Sequence, residues 1–372
     1  MKRFLIFIFL VSSVASKAQK IEDMLHEIKL PEGFKIELYA TDVENARSLA
    51  QGPKGVIFVG SRNEGKVYAV VDEDGDWKSD KTYVLAESLN MPNGVAYRDG
   101  DLYIAEVSKV SVMRGIDAKL SNPPKMQTIR DDFPTEKHHG WKYIAFGPDD
   151  KLYVPIGAPC NNCLKEDEDK RFASITRMNA DGSDFEVFAQ GIRNSVGFDW
   201  HPETKELWFT DNGRDWMGDT KPNDELNRAQ EKGMHFGYPY CHAGEYADDK
   251  FGKKRTCWEF TVPARKLGAH VASLGMTFIE KDMFPEEYQN SVFIAEHGSW
   301  NKTVPDGYRI TRVELKGNLA VNYEVFAEGW LSGAERLGRP VDVLEMEDGS
   351  LLVSDDYANC IYRITYVNPI DQ

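Results

Sequence analysis

Three things are scarce in this 372-residue chain, and each shortage narrows what it can be. Long apolar runs are missing: the one clear stretch, Leu5–Val14, is too short to cross a bilayer as a helix. Long amphipathic helical patterns are missing too, which turns attention to strands. Positive charge is in deficit, with 45 Lys and Arg against 60 Asp and Glu and a formal net charge of −15. A surface that acidic repels nucleic acid and anionic membranes, so neither is expected as a partner.

Cysteine is sparse but placed tellingly. The five are Cys160, Cys163, Cys241, Cys257 and Cys360. A c-type haem requires His after Cys163, and Leu164 stands there. A zinc ribbon requires a second close pair, and a thioredoxin-like site a βαβ context; neither is apparent. In an oxidising compartment Cys160–Cys163 forms a tight local bridge, Cys241 and Cys257 can close a loop, and Cys360 is left outside both. The N-terminus fits that compartment. Lys2 and Arg3 precede the apolar run, and Ser16 and Ala18 follow it, as in a secretory signal peptide cleaved after residue 18. Losing Lys2, Arg3 and Lys17 with this leader takes the net charge from −15 to about −18. The mature protein, 19–372, is expected to be periplasmic or secreted.

What is present is a recurring strand. A polar turn with Asp, Gly or Pro leads into a hydrophobic run that ends on a small or acidic residue. Copies lie at Gly52–Gly60, Asp99–Glu106, Gly147–Gly157, His201–Asp211, Tyr288–Glu296 and Glu347–Asp355. Most are about 45 to 60 residues apart, the period of a propeller blade. Apolar segments flank them, such as Gly94–Tyr97 before and Ser174–Met178 after, and supply further antiparallel strands. The expected fold is all-β, a single six-bladed β-propeller; a β-sandwich is the competing arrangement. One gap, between Asp211 and Val292, is too long for a blade, so an excursion around 212–290 is expected to cover one face.

The segments that carry chemistry fall near the ends of the repeats, where loops from separate blades can meet at one mouth. Gly191-Ile-Arg-Asn194 precedes the fourth copy, and Asn212-Gly-Arg214 and Asp224-Glu-Leu-Asn227 follow it. Loop carbonyls and a carboxylate suit a hard cation such as Ca²⁺, and an arginine suits an anionic or carbonyl-bearing ligand. A cation beside a guanidinium implies something negative between them, which points to a polyanionic cofactor. His138 and His139 precede the third copy, and a neutral imidazole is a natural base near pH 7. His297 and Lys302 follow the fifth copy, and Arg336 and Arg339 precede the last.

These motifs, in this order, resemble the soluble pyrroloquinoline-quinone (PQQ)-dependent sugar dehydrogenases of the glucose/sorbosone dehydrogenase family. The resemblance rests on Leu30-Pro-Glu-Gly-Phe34, His139-Gly140 before Phe146-Gly-Pro-Asp149, Gly191-Ile-Arg-Asn194, and Asp224-Glu-Leu-Asn227 leading to Phe236-Gly-Tyr-Pro239. The strings Gly157-Ala-Pro-Cys-Asn-Asn-Cys163 and Glu296-His-Gly-Ser-Trp300 place it nearer the sorbosone-dehydrogenase-like branch. It implies a six-bladed propeller holding PQQ and Ca²⁺ at its mouth, a sugar, polyol or sugar aldehyde as substrate, and an external electron acceptor. It implies His139 as base, with His138 one position off as the reserve, and Arg193 at the quinone carbonyl. Asn194 and either His297 or Lys302 would contact the cofactor. Arg336 and Arg339 would neutralise its carboxylates, and Gly213, Arg214 and Asp224 would hold the cation. Two positions depart from the pattern: Ala158 replaces the acid that supports the base, and Met91-Pro-Asn-Gly94 replaces a glutamine. Two other functions fit a propeller, a Ca²⁺-dependent lactonase and a noncatalytic glycan- or protein-binding module.

Overall fold

The computed structural model describes residues 21–53 and 55–369, so the expected signal peptide lies outside the described residues. Six four-stranded antiparallel sheets follow one another along the chain as the blades of a β-propeller. Every copy of the repeat became the second strand of its blade: Val56–Ser61, Asp101–Ala105, Leu152–Ile156, Leu207–Asp211, Ser291–Glu296 and Leu351–Asp355. Those strands are buried along almost their whole length, because each is covered by the neighbouring blade on both faces. Continuous burial selects continuous apolar runs, which is why they stand out in the sequence. The outermost strands, such as Lys81–Ala86 and Leu319–Glu328, alternate between packed and solvated residues and leave a weaker trace.

Within a blade the chain arrives at one face, runs along the inner strand, turns, and returns to that face along the second. The connection into each inner strand and the loop after each second strand therefore share a face. That rule assembles the site described below. The ring is closed by Phe34–Ala40, which pairs antiparallel with Cys360–Tyr366 as the outer strand of the last blade. Packing between blades is aromatic at the seam: Phe34 makes edge-on contacts with Phe284, Phe326, Tyr288 and Tyr366, a geometry that favours aromatic pairs beyond their buried area.

The long gap between the fourth and fifth copies is mostly blade. Asn223–Ala229 and Arg265–Ala269 complete the fourth sheet and Ser273–Phe278 opens the fifth. The true excursion runs between Ala229 and Arg265. It has its own small core of Tyr240, Cys241, Phe251 and Phe260 and is tied by Cys241–Cys257. Cys160–Cys163 is the second bridge, and Cys360 lies buried in the last strand. No helix among the described residues is long and apolar enough to cross a membrane.

Candidate active site

At the shared face, loops from around the ring enclose a cavity of about 340 Å³. His139 sits on the connection into the third blade. Its backbone is left-handed (φ 53°) and its ring is buried, whereas His138 is exposed. The rings touch at 4.0 Å between centroids. His139 Nδ1 lies 2.8 Å from the carbonyl oxygen of Ala158. A carbonyl only accepts, so Nδ1 carries the proton and Nε2 keeps its lone pair. The expected acidic support at position 158 is thus replaced by main chain. Ala158 also donates its N–H to the Arg193 carbonyl (2.8 Å), tying the two site residues together. Gly157 is required here: a Cβ would stand 2.5 Å from that of His139. Burial, then the Arg193 charge, hold the His139 imidazole well below its ordinary range.

Arg193 and Asn194 lie on the connection into the fourth blade. The buried Asp211 carboxylate accepts both backbone N–H groups, at 2.9 and 2.6 Å, and fixes the turn. Burial raises Asp211 to about 7, although these amide bonds favour its ionised form. The Arg193 guanidinium pairs with Asp215 at 2.9 Å. Asn194 lines the cavity, and its side chain has no hydrogen-bond partner among the described residues. Gly213 and Asp224 also line it. The Asp224 oxygens accept from the Gly213 amide (2.9 Å) and the Ser273 amide (3.2 Å), and burial raises the acid to about 6. Arg214 turns its side chain away, to Asp248 and Asp249.

His297 and Lys302 are separated clearly. His297 lines the cavity, and its Nε2 lies 2.8 Å from Asp356; burial pushes the imidazole down to about 4. Lys302 is drawn away by an ion pair with Asp306 (2.7 Å) and does not reach the cavity. Arg339 also lines the cavity, held by the carbonyls of His297 (3.1 Å) and Gly298 (2.9 Å). Arg336 does not: it sits exposed on a short hairpin, Leu331–Ser332 with Glu335–Arg336, whose pairing directs it to solvent. Of the expected cofactor contacts, Lys302 and Arg336 are therefore not among the residues that line the cavity.

Three residues went unnoticed in the sequence. Arg47, 1% exposed, pairs with Asp356 at 3.0 Å and bonds Asn93 at 2.7 Å. Asp356 thereby joins Arg47 to His297. Arg62 lies over the Trp141 ring at 4.6 Å, and its buried Nε has no partner. Arg62 follows the first copy of the repeat directly, so applying the end-of-repeat rule to that copy finds it. Burial and the neighbouring Arg47 push its guanidinium down to about 10. At the rim stand Trp216 and Trp300, exposed and edge-to-face at 5.2 Å.

A model of the TrAA12-like family matches residues 28–365. The chain belongs to the TrAA12-like family. An uncharacterized protein of Borreliella burgdorferi is 36% identical, over 96% of this chain and 95% of its own length. Among solved structures, this TrAA12-like chain is similar to the calcium structure of the Trichoderma reesei family AA12 enzyme. That match has a TM-score of 0.78 and 19% identity, and covers 91% of this chain and 97% of that one. The holo PQQ domain of Coprinopsis cinerea pyranose dehydrogenase matches at a TM-score of 0.77 and 16% identity, with 91% and 97% covered. The PQQ-bound aldose sugar dehydrogenase of Streptomyces coelicolor matches at 0.66 and 21%, with 91% and 99% covered. At these identities the structural matches speak for the fold.

Proposed function

We propose that this protein is an exported quinoprotein dehydrogenase that oxidises a sugar, a related polyol or a sugar aldehyde, using PQQ with Ca²⁺ and passing electrons to an external acceptor. The observation that carries the proposal is the charge of the cavity. Four guanidiniums (Arg47, Arg62, Arg193, Arg339) line it against two carboxylates (Asp215, Asp224), an excess of positive charge in a protein of net charge −15. Arg62 and Arg339 have no carboxylate partner among the described residues. Both are half-buried and share the Asp356 carboxylate only at longer range, and a polycarboxylate would supply the direct partners they lack. A lactonase using metal-bound water has no need of such a cluster. The Gly157–Cys163 and Glu296–Trp300 strings favour a sorbosone-dehydrogenase-like preference within this class.

PQQ, when bound, supplies a quinone carbonyl that accepts hydride. The chain's own residues do the rest. Arg62, Arg339 and Arg47 would bind its carboxylates, and Asn194 and His297 would contact the cofactor. Gly213, Arg214 and Asp224 would hold the cation, main-chain oxygens being donors that suit a hard cation. Nε2 of His139 would take the substrate hydroxyl proton, and Arg193 would have one N–H left to donate to a bound carbonyl.

The first test is titration of the purified mature apoprotein with PQQ and Ca²⁺, followed by dye reduction over a sugar panel. Saturable binding and sugar-dependent reduction are expected; no binding with Ca²⁺ present rejects the reading. Chelation of Ca²⁺ is expected to release the quinone, and undiminished binding in EGTA removes the cation from its role. The pH profile gives a third check. With His139 held well below its ordinary range, the base stays neutral into mild acid, so the acid limb of kcat/KM is expected below the ordinary histidine range. This depressed imidazole contributes stability above pH 6.5, and the contribution is lost as pH falls toward its folded value. A limb at 6.5–7 contradicts the assignment.

A further inference from the structure

Arg193 carries five N–H donors, and the protein holds four of them. Nε donates to the main-chain oxygen of Asn161 (3.0 Å), and Nη2 to the Asn161 side-chain oxygen (2.9 Å) and to Asp215 (2.9 Å). Nη1 donates to the carbonyl of Asn212 (3.0 Å), which leaves one Nη1 N–H. One residue, Asn161, therefore accepts half of the bonds that orient this guanidinium.

Asn161 lies inside the Cys160–Cys163 bridge, which closes a ring with only two residues between its cysteines. The ring is docked from both sides. The Tyr238 hydroxyl accepts the Cys163 amide (3.0 Å), and the Asn162 side chain donates to Asp248 (3.0 Å). The Asn161 amide is matched reciprocally by Asp215: Nδ2 donates to the Asp215 carbonyl (3.1 Å), and Oδ1 accepts the Asp215 N–H (2.9 Å). All this sits on a connection between Leu152–Ile156 and Ser174–Met178 that is long for a blade loop. A bridge over so short a span removes little entropy from the unfolded chain, so its effect on global stability is small beside that of Cys241–Cys257, separated by 16. Its consequence is local.

We infer that the Cys160–Cys163 ring is a positioning device for Arg193, and that Asn161 is the positioning residue through which it acts. The inference rests on the reading of Arg193 as the group facing the reacting carbonyl. A side chain held by four bonds presents its last N–H in one direction, and a displacement of about 1 Å in such a group can cost about 10²-fold in rate.

The test uses two variants of the full mature chain, Cys160→Ser/Cys163→Ser and Asn161→Ala, the second leaving the bridge intact. Solvent exchange of the Arg193 Nε–H is followed by NMR, its signal assigned by its loss in Arg193→Lys. Steady-state kinetics are measured alongside, with quinone affinity and Tm. Exchange at least about tenfold faster is expected in both variants, with kcat lowered about 10–100-fold and KM within about threefold. Wild-type exchange overturns the inference, as does faster exchange with unchanged kcat. A fall in Tm alone assigns the ring a purely structural role and overturns it too. If the wild-type protein binds no quinone, the function proposed above fails, while the exchange measurement still decides whether the ring holds Arg193.

Discussion

Replacing His139 with alanine is expected to lower kcat by about 10²–10⁴-fold, the usual worth of a positioned general base, while quinone affinity stays nearly unchanged. The geometry separates these effects. His139 is fixed by the Ala158 carbonyl rather than by a residue of the arginine cluster, so its loss disturbs proton transfer before it disturbs cofactor binding. Its proton sits on Nδ1, and burial with the Arg193 charge keeps the ring neutral and able to accept at Nε2. His138→Ala is the comparison, because that residue also lines the cavity but is more exposed and has no such anchor. Steady-state rates and quinone titration on both variants check the assignment. Retained turnover in His139→Ala removes it from the base role, and a large loss confined to His138→Ala transfers the role to its neighbour.

Arg62→Met is expected to act in opposite directions on the two states of the protein. Without quinone, Arg62 has no ion pair among the described residues, an unpartnered Nε, and Arg47 as a like-charged neighbour. Methionine keeps contact with Trp141 and removes the buried charge, so unfolding in urea is expected at equal or higher denaturant. With quinone, a charge-assisted bond worth about 1.5–3 kcal/mol is lost, a weakening of roughly 10–150-fold. Quinone titration and urea unfolding of the same preparation give both signs. If stability and affinity fall together, Arg62 is a structural residue, and the cluster loses its main claim to be an anion site.

How much of this was legible in the sequence depends on what burial does to a strand. Second strands are covered on both faces and read as plain apolar runs, so all six were visible. Many inner and outer strands are short or alternate, and Ala145–Phe146 has only two residues. The excursion looked too long because Asn223–Ala229, although a blade strand, is polar: its Asp224 and Glu225 are buried on hydrogen bonds to backbone amides. No apolar pattern marks such a strand. Site residues at repeat ends were found where a motif drew attention to them. Arg336 and Lys302 show the limit of that rule, since a hairpin and an ion pair with Asp306 turn them elsewhere. Asp356 was invisible because its role depends on Arg47, more than three hundred residues away in the chain.

That last pairing has a consequence for how the protein is made. Arg47 belongs to the first blade and Asp356 to the last, and their contact at 3.0 Å spans the place where the circle is completed. The final strand, Cys360–Tyr366, must emerge before Phe34–Ala40 can find its partner. A chain cut short in translation has neither a finished circle nor a neutralised Arg47. Such a chain cannot assemble the arginine pocket, so binding of the cofactor proposed above would select finished molecules from the nascent ones without a separate inspector.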